Sequence, residues 1–432
     1  MRPRVKPALR RIIRDEHTLQ YGVHPLRAVM LSGLTRSVRQ WIEGLDGTRE
    51  LDCVLRDAAV AGLDEFRARA LLDQLAAQGA LHDAAISHAP LADLPLTERD
   101  RLRPDLDALD LASTAPDGGI TLLGRRRGMR VRVYGAGRVG AQVVALLAVC
   151  GVGNLRVIDP GQARPGDITP GGLTWAEMGM TREAGAVAVA RRLTYGGLEP
   201  TEPVPPVQSG GHQLTAREIT AAATARATAP LPSTPSIASS PGSRSTTATP
   251  TRPGTDAEDV VRPSVNALVG GPYLGDKSER PDLVVLAPVG PLDGVLVNEL
   301  TSLGIPHLLV SAFEGHGIVG PLVLPSKTAC LHCLDLTRRD HDPAWPMVTA
   351  RLGGYPPGEI ACDATLAALV AAEAVGHALT YLDGKESVVT NGTMDVTPDW
   401  RWKRRSWSVH PQCRCMRNNP YSLRMVMAPN HD

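Results

Sequence analysis

The sequence predicts an α/β protein: a Rossmann-like domain with a mostly parallel sheet, preceded by a small winged-helix-like α+β module. Three observations carry this. Val131 to Asp159 reads strand, glycine turn, apolar helix, strand, acid. Residues 1–85 alternate short apolar strands with amphipathic helices. Buried-strand runs then resume at Asp282–Leu286, after a long stretch that cannot build a core.

In residues 1–85, Ile12–Ile13, Leu19–Tyr21–Val23 and Val29–Leu31 predict three strands. Thr35 is placed to cap a helix whose stripe is Val38, Trp41, Ile42 and Leu45. A second helix fits Leu51–Ala61. A third runs from Asp64 to Gln78, with Phe66, Leu71, Leu72 and Leu75 on its buried side. Winged helices often bind DNA, but Arg36, Arg39, Arg67 and Arg69 are offset by Glu43, Asp64, Glu65 and Asp73, so no helix carries a basic stripe. Residues 86–128 read as a connector in which Pro90, Pro95, Pro104 and Pro116 break any long element. There Asp117-Gly118-Gly119 makes a turn, and Arg125–Arg127 is a solvated run or a phosphate contact.

The next part, residues 129–200, begins a nucleotide-binding domain. Gly135 makes the tight turn, Gly137 lets backbone approach a phosphate, Gly140 lets helix and strand pack closely, and Asp159 accepts from a ribose. The alternative is a βαβ unit that binds nothing. A helix near Arg182–Leu193 follows. Residues 201–262 are Pro, Thr, Ser and Ala with little to bury, which predicts a disordered insertion. In residues 263–416 the fold resumes with strands at Asp282–Leu286 and Pro306–Ser311, a helix at Gly294–Leu303 and a long Ala-rich helix at Asp363–Leu382. His307 and His316 read as structural, and Cys362 as a core residue ahead of an activated thiol. Residues 417–432 are a tail.

With 432 residues and a net charge of +1, the chain shows no electrostatic pull towards nucleic acid or membrane. Its basic N-terminus is not followed by an apolar h-region, and Ala361–Leu379 is interrupted by Asp363, Glu373 and His377, so a cytoplasmic location is expected. Seven cysteines in that setting point to metal ligation over disulfides. Cys330 and Cys333 form a C-x-x-C corner, and Cys413 and Cys415 form a C-x-C pair. Together they predict a closed, structural Zn²⁺ site, with His410 in place of one Cys as the variant left open.

Two stretches, Cys150-Gly-Val-Gly-Asn-Leu-Arg-Val-Ile-Asp159 and Pro325-Ser-Lys-Thr-Ala-Cys-Leu-His-Cys-Leu334, resemble the ThiF/MoeB superfamily, relatives of ubiquitin-activating enzymes. That resemblance implies a ThiF-type fold, a homodimer, and adenylation of a carrier's C-terminal carboxylate with ATP and Mg²⁺. Position by position, however, the family's second acid falls on Gly161, its Asn on Asp167 and its essential Arg on Pro170. Its Lys falls on Arg182, its Mg²⁺-binding Asp on Val289 and a later Arg on Gly294, while Asn298 is kept. No catalytic residue is therefore assigned. Leu45-Asp-Gly-Thr-Arg49, followed by two helices and Ala77-Gln-Gly-Ala-Leu81, resembles the peptide-recognition modules of enzymes that process ribosomally made peptides. The combination resembles the partner proteins of azole-forming cyclodehydratases. It implies a scaffold that binds a leader peptide at Val29 and Leu31, against Leu72 and Leu75, and presents it to a YcaO-type enzyme. The alternatives are an active adenylyltransferase and, third, a nicotinamide oxidoreductase.

Overall fold

Apolar residues at every second position put strands where the N-terminal module needs them. After β1 (Pro3–Val5), the strands β2 (Arg11–Asp15), β3 (Thr18–Tyr21) and β4 (Val29–Leu31) form an antiparallel three-stranded sheet. Three helices follow: α1 (Arg36–Glu43), α2 (Leu51–Val60) and α3 (Glu65–Ala77). β5 (Leu81–Asp83) then pairs back on β1, a second sheet the pattern did not announce. Thr35 caps α1 by accepting from Val38 N at 3.2 Å, and Asp64 caps α3 through Arg67 N at 2.8 Å. The expectation for Phe66 fails: it is 82% exposed. The buried stripe of α3 is Ala68, Leu72 and Leu75, and Phe66 lies about 200° round the helix from Ala68. Val23 lies beyond the end of β3, also exposed.

The computed structural model describes residues 1–86, 89–115, 118–194, 264–290, 292–351 and 361–416. The expected insertion at 201–262 and the tail at 417–432 lie outside these residues. The connector is more ordered than its prolines suggest. α4 (Leu96–Leu111) runs straight through Pro104, because Leu102, Leu106 and Leu109 pack with Leu91, Leu94 and Leu123 and outweigh the lost helix bond. Gly118-Gly119 is not a turn; it opens α5 (Gly118–Gly128). A Cβ at position 119 would lie 2.6 Å from Leu106 O, so the glycine lets the two helices meet. The arginine run is structural as well. Arg126 is buried against Asp383 at 2.7 Å, and Arg127 pairs with Asp93 at 2.7 Å.

Beyond α5 come β6 (Arg130–Tyr134), α6 (Gly140–Val149), β7 (Asn154–Ile158), α7 (Arg182–Arg192), β8 (Asn266–Val269), β9 (Leu283–Leu286), α8 (Gly294–Ser302), β10 (His307–Phe313) and β11 (His316–Val323). α9 (Leu331–His341), α10 (Trp345–Arg351), α11 (Ala364–Leu382), β12 (Gly392–Val396) and β13 (Trp402–Ser406) complete the described order. Eight strands form one sheet in the order β13-β12-β11-β10-β9-β6-β7-β8. From β10 to β8 the pairings are parallel, and from β10 to β13 antiparallel. Side chains alternate across each strand. Val131, Val133, Leu283 and Val285 therefore join α6, α7 and α11 on one face, while Val284 and Leu286 meet α8 and α9 on the other. This is the Rossmann-like, mostly parallel architecture expected.

By length and composition α11 could cross a membrane. Yet Val370, Ala371, Ala374 and Ala378 are buried in the core shared with β10, β11 and α6, so its apolar face is already used. His307 is structural as expected: it is fully buried, its Nδ1 lies 2.9 Å from Ile305 O, and burial holds its pKa below the usual histidine value. His316 is exposed beside the Glu314 carbonyl. Cys362 packs at the edge of the core, where burial raises its thiol pKa, the opposite of activation.

One polar contact ties the module to α4. The Lys6 ammonium is fully buried and donates to Asp110 O at 2.5 Å and Ser113 O at 2.6 Å, carbonyls at the C-terminal end of the helix. Arg27 donates to Leu111 O at 3.2 Å and to Gln78 O and Gly79 O at 2.7 and 2.8 Å. Burial draws the Lys6 pKa below the ordinary lysine value against the pull of Asp110. Lys6→Met preserves most of the volume but removes the donor from two carbonyls, so urea unfolding should show a loss of about 1–3 kcal/mol. An unchanged midpoint would mean that water replaces the ammonium without cost.

Candidate functional site

The parallel strands present their C-terminal ends together, and the crevice there is built mostly from backbone. At Gly135 φ is +93°, and a Cβ would fall 2.0 Å from Ala287 O, so only glycine fits between β6 and the end of β9. At Gly140 a Cβ would lie 1.9 Å from Gly135 O, so α6 begins hard against the turn. Both glycines do the packing work expected of them. Gly137 differs. The space a Cβ would occupy there is bounded by Val289 Cγ2 at 2.7 Å and Asp167 Oδ1 at 3.5 Å. An isopropyl group and a carboxylate flank the backbone that was expected to approach a phosphate.

Asp159 ends β7 as predicted, and its carboxylate is engaged within the protein. Oδ2 accepts from Ala136 N at 2.8 Å and Oδ1 from Gly161 N at 3.1 Å. Arg182 lies between two acids, its Nε donating to Asp167 Oδ2 at 2.8 Å and its Nη1 standing 3.7 Å from Asp159 Oδ1. Gly161 is what makes room for it: a Cβ there would lie 2.7 Å from Arg182 Nη1. Arg138, inside the glycine turn, donates to Gly166 O at 2.5 Å and Ile168 O at 3.4 Å; its Nε is buried without a partner among the described residues.

A cavity of about 650 Å³ opens beside the turn, lined by Tyr134, Gly135, Asp159, Tyr273, Val289 and Asp293 among others. Among the described residues its lining holds three carboxylates, Asp159, Asp293 and Glu299, and neither Lys nor Arg. Asp293 is spent in part as the cap of α8, accepting from Val295 N at 2.8 Å. Tyr273 and Leu274 reach the cavity from the segment between β8 and β9. Sequence reasoning missed them, because nothing near position 273 signals a contact with a turn more than a hundred residues earlier.

The four predicted metal ligands do meet. Cys330 caps the start of α9 and Cys333 lies on its first turn; Cys413 and Cys415 return to them from beyond β13. Their sulfurs lie within 4.8 Å of one another, with Cys330–Cys333 at 3.7 Å, Cys330–Cys413 at 3.6 Å and Cys333–Cys415 at 3.6 Å. Four sulfurs on a tetrahedron about Zn²⁺ at its usual bond length would be about 3.8 Å apart, so the group can hold a metal ion. Sharing a proton with Cys333, and then burial, pushes the Cys330 thiol far up; burial, then the bond to Cys333, pushes Cys415 up to about 12. A cation would relieve that cost by taking the protons' place. His410 is not a fifth sulfur-side group. Its Nε2 lies 2.8 Å from Asp340 Oδ2, and its carbonyl accepts from Cys413 N at 2.9 Å, bracing the turn that carries the second pair. His332 is exposed.

In the N-terminal module, Val29, Leu31, Leu72 and Leu75 are 3%, 5%, 6% and 0% exposed and belong to one core cluster. Their side chains are committed to packing; what β4 leaves to a partner is its backbone, since among the described residues it pairs only with β3. Met30, between the two buried strand residues, is 56% exposed.

No protein-family model matches the chain, and no curated protein sequence does. Solved structures do. E. coli MccB with AMPCPP and MccA superposes at a TM-score of 0.59 with 11% identity, over 97% of this chain and 100% of that one. The microcin C7 biosynthetic enzyme MccB in complex with N-formylated MccA matches at 0.59 and 11%, covering 96% and 100%. PaaA matches at 0.58 and 13%, covering 93% and 99%. At such identities the likeness is one of fold, and it extends over nearly the whole of both chains.

Proposed function

We propose that this chain is a peptide-binding scaffold on a ThiF-type fold, one that holds a precursor (leader) peptide through its N-terminal module and presents it to a YcaO-type cyclodehydratase without forming an adenylate. The observation that carries the reading is the pair Val289 and Asp167 over Gly137. Adenylation needs cationic groups and Mg²⁺ to neutralise the triphosphate charge. At this place the chain offers a hydrocarbon and a carboxylate, and the neighbouring cavity adds three acids without a cation. Arg182 is the nearest replacement for the family's Lys, and it is committed to Asp167. That MccB is solved with MccA, on the same fold, supports a peptide as the ligand class.

The adenylyltransferase reading keeps two supports: the glycine turn and Asp159 lie where a nucleotide site needs them, and MccB, on the same fold, is solved with AMPCPP and with ATP. It is tested by ATP–pyrophosphate exchange with candidate precursor peptides and carriers ending in Gly-Gly. No exchange above the enzyme-free rate is expected; exchange that Asp159→Ala abolishes would establish the enzyme.

Peptide capture is expected at the edge of β4, by strand addition. Full-length protein should bind its cognate leader, and Val29→Pro, which removes a backbone N–H and bends the edge, should weaken that binding at least about tenfold. Unaltered binding by a folded Val29→Pro variant would move recognition to another surface.

For the cysteine cluster we assign Zn²⁺ in a closed, structural role, since four thiolates leave no open position for chemistry. Cys413→Ser should lower zinc content and melting temperature together. Native protein isolated without chelators and free of zinc by elemental analysis would remove the assignment.

A further inference from the structure

β13 closes the large sheet with an open edge of unusual composition. All five of its residues, Trp402 to Ser406, are exposed, and among the described residues it pairs only with β12. One side of its backbone therefore leaves N–H and C=O groups aimed outward with no strand to receive them. From Trp400 to Trp407 the chain carries Arg401, Lys403, Arg404 and Arg405 and no acid. Arg401 is balanced by Asp399 at 2.9 Å and Arg405 by Asp395 at 2.5 Å. Lys403 has no carboxylate partner among the described residues, and Arg404 donates only to Val388 O at 3.0 Å and Ser406 Oγ at 2.7 Å. The edge thus keeps two uncompensated positive charges, with Trp400 and Trp402 exposed beside them.

A cavity of about 750 Å³ lies at the end of this strand; Arg338, Arg405, Trp345 and Trp407 line it, and so does one acid, Asp342. There the Arg338 guanidinium is stacked 5.1 Å from the Trp345 ring and 5.6 Å from the Trp407 ring, and its ion-pair partner Asp335 stands 3.8 Å away. Two indoles hold this cation in place without neutralising it.

We propose that the outer edge of β13 is a docking surface for an acidic peptide segment, which adds as a further strand and sets its carboxylates against Lys403 or Arg404. Charge selects the occupant. A second β13 would bring like charges together, so the edge refuses another copy of itself, whereas a strand carrying Asp or Glu at alternate positions lines one face with acid and sets it beside Lys403 or, turned over, beside Arg404. The open ladder favours peptide over nucleic acid, because only a peptide backbone returns its hydrogen bonds. This surface lies at the opposite end of the sheet from β8, is distinct from β4 in the N-terminal module, and does not depend on the leader-binding reading.

The test uses the full-length chain and a fluorescent peptide alternating Glu with Val, read by anisotropy at low ionic strength. Saturable binding is expected, and the Lys403→Glu/Arg404→Glu variant should lose at least about tenfold in affinity while melting at the wild-type temperature. The same peptide N-methylated at alternate amides keeps its charge but cannot extend the ladder, and should bind at least about tenfold more weakly. The proposal is overturned if the parent peptide does not bind. It is overturned equally if the N-methylated peptide binds as well as the parent, or if single-stranded oligonucleotide of equal charge displaces the parent at equal concentration; either result would make the edge a general polyanion surface.

Discussion

The carbonyl of Ala287 lies where any side chain at position 135 would have to go. That contact of backbone on backbone fixes the geometry of the crevice. It sets β6 against the end of β9, and the Gly135 carbonyl in turn meets the start of α6 at Gly140. Once those two approaches are made, the residues just beyond β9 pass over the turn, which brings Val289 to Gly137. The chain has kept the part of a nucleotide fold that depends on having no side chains, and this part is a packing requirement whether or not a nucleotide ever binds.

The polar part of the crevice has been rebuilt as a set. Where the family resemblance expects an acid at 161 and a lysine at 182, the chain has glycine and arginine, and the two changes fit each other in space: the missing side chain at 161 is the room that Arg182 occupies. Arg182 then spends its charge on Asp167 and Asp159 inside the protein. The result is a closed triad in which each charge has a partner, and a buried charge without a partner is expensive.

Much of this was legible in the sequence, for identifiable reasons. The βαβ unit declared itself because a turn that tolerates only glycine is written in the residue identities. The helix cap at Thr35 was equally plain, and so was the cysteine constellation, since few roles accept paired thiols. Other features were hidden because they depend on distant contacts. Nothing local distinguishes α4, with Pro104 in its middle, from a broken connector; its helix persists through packing on Leu91, Leu94 and Leu123. Strand β13 escaped notice because its run Trp-Lys-Arg-Arg-Ser shows no apolar alternation and has no buried side at all. Phe66 misled because an aromatic at the start of an amphipathic helix suggests burial, although the cap at Asp64 rotates it into solvent. Val29, Leu31, Leu72 and Leu75 lie on the strand and helix expected of them, yet all four serve the core, which a periodicity cannot separate from a binding wall.

The buried Lys6 bears on how far the N-terminal module can be treated as a part to be moved. Its ammonium finds its acceptors about a hundred residues away, on the last turn of α4 and just past it, and Arg27 reaches the same helix end. A graft cut after β5 would carry a lysine shaped for carbonyls it no longer has. The natural unit of transplantation therefore runs on past α4 to Ser113 at least, and the seam between the N-terminal module and the large sheet lies inside the connector, not ahead of it.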